Sequence, residues 1–190
     1  LTLPDPDPDA ALLARVGAQD PAAVREIVAS KLPRILALAS RMLGDRAEAE
    51  DVAQETFVRI WKHAARWRTG QARFDTWMHR VVLNLCYDRL RGQGPGPTLE
   101  ADGDEAADPA PRPDEHLAER TRSDRVGLAL KRLPVRQREA LVLHYYQELS
   151  NADTASLMGI TVEALESLLA RARRTMRATL MHAGDTEDML

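Results

Sequence analysis

Three groups of residues in this chain have types and spacings suited to chemistry, and in each case the chemistry is recognition. Asp51, Gln54, Glu55, Val58 and Lys62 recur at i, i+3, i+4, i+7 and i+11, which gathers them on one side of an α-helix. A carboxylate pair beside an apolar residue suits a complementary basic helix: charge sets the orientation and the apolar contact limits dissociation. A solvated helix face is the plainer reading of the same stripe. Thr76, Arg80, Asn84, Tyr87 and Arg91 form a second helical group, preceded by Arg68 and Arg73 in the loop string WRTGQAR. Basic groups interleaved with an amide and a phenol can hold phosphates and read an exposed base edge. The third group, Glu166, Ser167, Arg171 and Arg174, crowds one late helix together with Arg173 and Arg177. Glu166 repels phosphate; either it accepts a hydrogen bond from a cytosine amino group or it faces solvent.

No comparable set supports catalysis. His63, His79, His116, His144 and His182 are scattered without ligand spacing or a triad arrangement. Asp51 and Glu55, read as an acid/base pair, have no nucleophile beside them. The chain is therefore expected not to be an enzyme and to need neither cofactor nor metal. The lone cysteine, Cys86, cannot form an intrachain disulfide, which suits a reducing cytoplasm. No apolar stretch is long enough to cross a bilayer, so direct membrane insertion is not expected. The net charge of −3 argues against a protein that coats nucleic acid unaided, and places the weight on how charge is distributed.

The elements that must position these groups are helices. Leu, Ala, Arg and Glu dominate, and β-branched runs bounded by turn signals are nearly absent. An all-α fold is expected, made of two small helical domains joined by a flexible linker, the second a helix-turn-helix. The linker is read at 92–114, rich in Gly, Pro and acid with Leu99 as its one large apolar residue; it cannot bury enough surface to offset its ordering entropy. The first domain is placed at 9–91, the second at 115–182, with a tail at 183–190.

In the first domain, Asp20 before Pro21 predicts an N-cap and a helix to about Met42, with Pro33 expected to kink or divide it. Gly44 ends that helix, and Asp45 with Glu48 predicts a capping box for the next, running to about Trp67. Ala53, Phe57, Ile60, Trp61 and Ala64 give this helix its core stripe. After a turn around Gly70 a third helix is expected from about Asp75 to Arg91, with Trp77, Val81 and Leu85 as its core side. In the second domain, helices are expected at about 114–133, 135–148, 151–158 and 162–181, with Ser150 and Thr161 as caps and Gly159 as the turn. Leu141, Leu149, Ala155, Leu157, Met158, Ile160, Leu165 and Leu169 are expected to form a small trihelical core.

The run LGDRAEAEDVAQETFVRIWKHAARW, followed by RFDTWMHRVVLNLCYDRLR, resembles the second conserved region of extracytoplasmic-function sigma factors. The stretch from LPVRQRE to ARARR resembles the fourth region of the same family, which reads the −35 promoter element. The resemblance implies that Asp51, Gln54 and Glu55, with Val58 and Lys62 as neighbours, contact core RNA polymerase (its beta-prime and beta subunits) through a β′ coiled coil. It implies that Arg68, Arg73, Thr76, Arg80, Asn84 and Tyr87 act on the opened −10 element, with Asn84, in RVVLN, at the family's base-contacting asparagine. It also implies that Ser167 and Arg171 contact −35 DNA, with Glu166 and Arg174 beside them. Where many members carry a basic TVKSR-like string, this chain has Ala164, Leu165, Glu166, Ser167 and Leu168, which leaves the −35 sequence open. Promoter DNA and an anti-sigma factor are the further partners the resemblance implies. The alternative is a stand-alone helix-turn-helix regulator that binds duplex DNA without polymerase; the first-domain motif disfavours it.

Overall fold

The computed structural model describes residues 7–67, 73–92 and 125–185, with side chains described up to Met181. They fall into two compact units, one within 1–89 and the other within 90–190. Every regular element among the described residues is helical, as the composition requires.

The first unit holds α1 (Ala10–Gly17), α2 (Pro21–Leu43), α3 (Arg46–Ala64) and α4 (Phe74–Gly92). Asp20 caps α2 by accepting from the Ala22 N–H at 2.8 Å, and Pro21 takes the first helical position, where no donor is needed. Pro33 does not divide α2, which runs as one helix through it. The helix stops at Gly44, whose φ of 66° is the left-handed conformation that glycine adopts without steric cost.

Asp45 then caps α3, accepting from Glu48 N at 3.0 Å. The reciprocal half of the expected capping box is replaced: the Glu48 carboxylate accepts from Arg89 Nε of α4 at 2.6 Å. That ion pair ties α3 to α4, and α3 itself ends at Ala64, three residues before Trp67.

Helices α1, α2 and α3 pack on one another around Leu13, Ile27, Leu38, Met42 and Ile60, all buried. Helix α4 contributes Phe74, Met78, Val82 and Cys86. Burial pushes the Cys86 thiol up to about 12, against a small opposing pull from Arg89, so it is a packing group and no nucleophile near neutral pH.

The last residue of α1 sets a steric limit. A Cβ on Gly17 would stand 2.8 Å from Ala65 Cα and 2.9 Å from Ala65 N, both backbone atoms. The Gly17→Ala variant is accordingly expected to lose about 1–3 kcal/mol, the usual cost of an overpacked contact. Urea unfolding followed by circular dichroism checks this, as a fall in midpoint without a change in slope.

The second unit is built on α6 (Val135–Leu141), α7 (Asn151–Met158) and α8 (Val162–Asp185), with a further helix, α5, described over 125–131. The α6 helix was expected to continue to Glu148. It instead gives way to a π-helical turn, Val142–Tyr146, closed by Gln147 N to Val142 O at 3.0 Å. Glu148 follows with a φ of 56°, and the segment delivers Leu149 N to Leu143 O at 3.2 Å. The wider turn buries Val142 and Leu143 and leaves Tyr145 exposed.

Ser150 caps α7 by accepting from Asp153 N at 3.1 Å, and Thr161 caps α8 by accepting from Ala164 N at 3.2 Å. Between them Gly159 takes a φ of 66°, with Ile160 N bonded to Ala155 O at 3.0 Å, a left-handed helix end that makes the turn of the helix-turn-helix. Leu141, Ala155, Leu157, Met158, Leu165 and Leu169 are buried as expected, whereas Leu149 and Ile160 are only half-buried.

The arginines of LPVRQRE serve the fold. Arg138 is buried and donates from Nη2 to the Lys131 and Leu133 carbonyls at 2.7 and 3.2 Å. Arg136 pairs with the buried Glu139 at 2.9 Å and donates to Met158 O at 3.1 Å, satisfying the end of α7.

Candidate nucleic-acid and polymerase interfaces

Three exposed helix faces carry the residues singled out above. On α3, Asp51, Gln54 and Lys62 are exposed, while Glu55 and Val58 are half-buried. Glu55 is already engaged: its Oε1 accepts from Arg59 Nε at 3.1 Å, one turn along the same helix. A basic partner must therefore share or displace Arg59.

Trp61 corrects the expected core stripe. It is 45% exposed, touching Phe57 at the edge of the helix with ring centroids 6.2 Å apart, while Ala53, Phe57, Ile60 and Ala64 are buried. Trp61 lies three residues beyond Val58 and seven beyond Gln54, so it borders the acidic face. The same spacing was visible in the sequence, but periodicity alone puts a tryptophan on the apolar side.

On α4, Arg80, Asn84 and Arg91 are exposed and Thr76 and Tyr87 half-buried, one face along the helix. Arg73 is exposed just before it, and Arg68 lies outside the described residues. His79, next to this face in sequence, is buried with Nδ1 2.7 Å from the Asp75 carbonyl.

Trp77, expected in the core, is half-buried in an aromatic cluster. It stacks on Phe74 at 5.8 Å and meets Trp67 edge-on at 5.7 Å and His63 at 5.2 Å. Trp67 also packs edge-on against Phe74 at 5.5 Å, so the residues on both sides of 68–72 in the chain meet in one cluster.

On α8, Glu166, Ser167, Arg171 and Arg174 are all exposed within the first four turns. Ser167 donates its hydroxyl proton to Glu163 O at 3.0 Å and so presents lone pairs outward. Arg171 Nε reaches Ser167 O at 3.4 Å. Asn151 Nδ2 stands 3.5 Å from Glu166 Oε1, too long to fix that carboxylate. Glu163 was not singled out in the sequence, yet it joins Glu166 on the exposed start of the helix. Its own backbone N–H and the Thr161 hydroxyl hold its carboxyl below the usual range, so a negative charge persists there.

Residues 27–95 match the family model described as Sigma-70 region 2, and residues 123–176 the one described as Sigma-70, region 4. The chain is 30% identical over 173 residues to the ECF RNA polymerase sigma factor SigW of Bacillus subtilis, covering 86% of this chain and 91% of that protein. This chain belongs to the extracytoplasmic-function group of the sigma-70 family.

Other relatives of this sigma factor are longer. It is 34% identical over 157 residues to the probable RNA polymerase sigma factor RfaY of Xanthomonas campestris, matching 80% of this chain and 39% of that protein. It is 30% identical over 164 residues to the ECF sigma factor SigE of Mycolicibacterium smegmatis, matching 85% of this chain and 63% of that protein. The chain thus spans from under half to under two thirds of the length of these two relatives.

Among solved structures, CnrH in complex with the cytosolic domain of CnrY aligns with a TM-score of 0.66 at 26% identity, over 92% of this chain and 97% of that one. The sigma factor RpoE of Bartonella quintana, solved with the anti-sigma factor NepR, aligns with a TM-score of 0.64 at 23% identity, over 83% of this chain and 96% of that one, a likeness of fold. No described helix is long and apolar enough to cross a membrane.

Proposed function

We propose that this sigma factor binds core RNA polymerase and directs it to promoters whose −10 and −35 elements it reads. The observation that carries the reading is the presence of both sigma regions in one chain, in order, each with an exposed recognition face on a packed helix. Asp51, Gln54, Glu55, Val58 and Lys62, with Trp61 at their border, form the polymerase face; the target is a basic helix of the β′ subunit. Arg68, Arg73, Thr76, Arg80, Asn84 and Tyr87 hold and read the opened −10 strand. Ser167, Arg171 and Arg174, with Glu166 beside them, face the −35 major groove.

In this reading the chain comprises a region-two domain at 9–91, a linker at 92–114, a region-four domain at 115–182 and a short tail. Docking on polymerase sets the two DNA-reading domains at promoter spacing, so the second DNA contact becomes intramolecular. Two acids at the start of α8 raise the cost of binding DNA by that helix alone, which makes the polymerase-bound state the DNA-binding one. The bond-making is the polymerase's. The setting is cytoplasmic, and an anti-sigma factor is the expected inhibitor; CnrH, a chain of similar fold, was solved bound to the cytosolic domain of CnrY.

Run-off transcription with purified core polymerase tests the whole reading, on promoters taken from upstream of the protein's own gene. A discrete transcript that requires both core and this chain is the expected result. Tight duplex binding by the chain alone, with no transcript and no core binding, would establish a stand-alone regulator instead.

A further inference from the structure

The first turn of α4 is held by a segment from the other end of the unit's sequence. Asp7 Oδ2 accepts from Phe74 N–H at 2.8 Å, across 67 residues, and so caps the helix from outside its own chain neighbourhood. The other oxygen of the same carboxylate, Oδ1, accepts from Asp9 N–H at 3.1 Å, which fixes Asp7 in place. Asp9 in turn accepts from Lys31 Nζ at 2.6 Å, and Lys31 also donates to Asp75 Oδ1 at 2.8 Å. The Lys31 side chain is only 10% exposed, and its ammonium lies 5.6 Å from the centre of the fully buried Phe74 ring. Burial alone would lower the Lys31 pKa; the hydrogen bonds and charges of Asp75 and Asp9 outweigh it and hold the group above its ordinary value.

The clamp therefore acts on two successive residues of α4, on the amide of Phe74 and on the side chain of Asp75. Arg73 lies immediately before them and Thr76 immediately after. An uncapped first turn frays, and the residues on it then spend part of their time away from the geometry that the rest of the helix sets.

We propose that Asp7 is a positioning residue for promoter opening: by capping α4 from the segment before α1, it holds Arg73 and Thr76 ready for the opened −10 strand. The inference rests on the reading of α4 given above. Asp7 is remote from the α3 face in role, since it bonds only to α4 and to its own turn among the contacts described.

The test compares the full chain carrying Asp7→Ala or Asp7→Asn with the wild type. Asparagine keeps a side-chain carbonyl oxygen and is itself a strong helix cap; alanine keeps neither. Amide hydrogen exchange at Phe74 and Asp75 in the free protein should quicken about five- to tenfold in Asp7→Ala, the factor set by loss of one ordinary cap. Opening of duplex promoter by the holoenzyme, followed by permanganate reactivity of −10 thymines, should slow by a similar factor, with core affinity changed less than about twofold. Asp7→Asn should restore both, and on a template already unpaired across the −10 element Asp7→Ala should still hold the exposed strand about five- to tenfold more weakly than the wild type.

Equal opening by wild type and Asp7→Ala overturns the proposal. So does a parallel loss of core binding, because that marks a general loss of structure. If the wild type binds core and opens no promoter, the reading of α4 fails first and the proposal goes with it.

Discussion

Trp61→Ala is expected to weaken binding to core polymerase by about tenfold to a hundredfold, near the 2 kcal/mol that marks a tryptophan buried on binding. Binding isotherms of fluorescently labelled protein with purified core would measure it. The expectation comes from the mismatch between the side chain and its surroundings in the free protein. An indole that is 45% exposed, near Gln54 and Val58 on the helix and tilted against Phe57, has apolar surface left to bury. In the proposed complex, a partner helix that excludes water there would strengthen the ion pairs proposed for Asp51 and Glu55. Because the side chain is so exposed, its removal should shift the thermal midpoint of the first unit by no more than about 4–8 °C, as 1 kcal/mol does in a unit of this size. A large fall in thermal midpoint with core affinity intact would show that Trp61 is a core residue after all.

The second large effect is on DNA. Asn84→Ala is expected to reduce promoter opening by about tenfold to a hundredfold, since a well-placed amide–base contact discriminates by about 1–3 kcal/mol. Core binding should remain within about twofold, for Asn84 lies on α4 and the proposed polymerase face on α3. The side chain is exposed, and alanine is the better helix former, so stability should hold or rise slightly. Opening scored by permanganate and binding scored by core titration separate the two functions. Equal losses in both would remove Asn84 from the base-reading role and leave it a structural residue.

The helices themselves were legible because their determinants are local. Asp20, Asp45, Ser150 and Thr161 cap donors two or three residues away, and Gly44 and Gly159 stop helices through their own backbone freedom. The exposed stripes on α3, α4 and α8 were legible for the same reason, since a helical period assigns faces without knowledge of what packs against them. The family was legible from two motif runs, in order, that resemble its second and fourth regions, and both regional models match there.

What depended on distant residues could not be read in this way. The composition of the α3 stripe put Trp61 inside; only the packing of α1 and α2 on α3 decided that Phe57 and Ile60 fill the core and Trp61 does not. The box motif promised Glu48 to its own helix end, but a guanidinium from α4, 41 residues on, offered a charged partner and won it. Pro33 signalled a break, yet α2 continues through it with Ile35 and Leu38 buried beyond. The π turn after Leu141 and the capping of α4 by Asp7 left no mark in the sequence, because each is settled by backbone groups finding partners only once the bundle has formed. By itself the sequence determined the helices, their polar faces and the family; the tertiary structure alone decided which side chain on a shared boundary is buried and which distant acid holds a helix end, because those outcomes are energies of contacts between residues that the chain brings together only on folding.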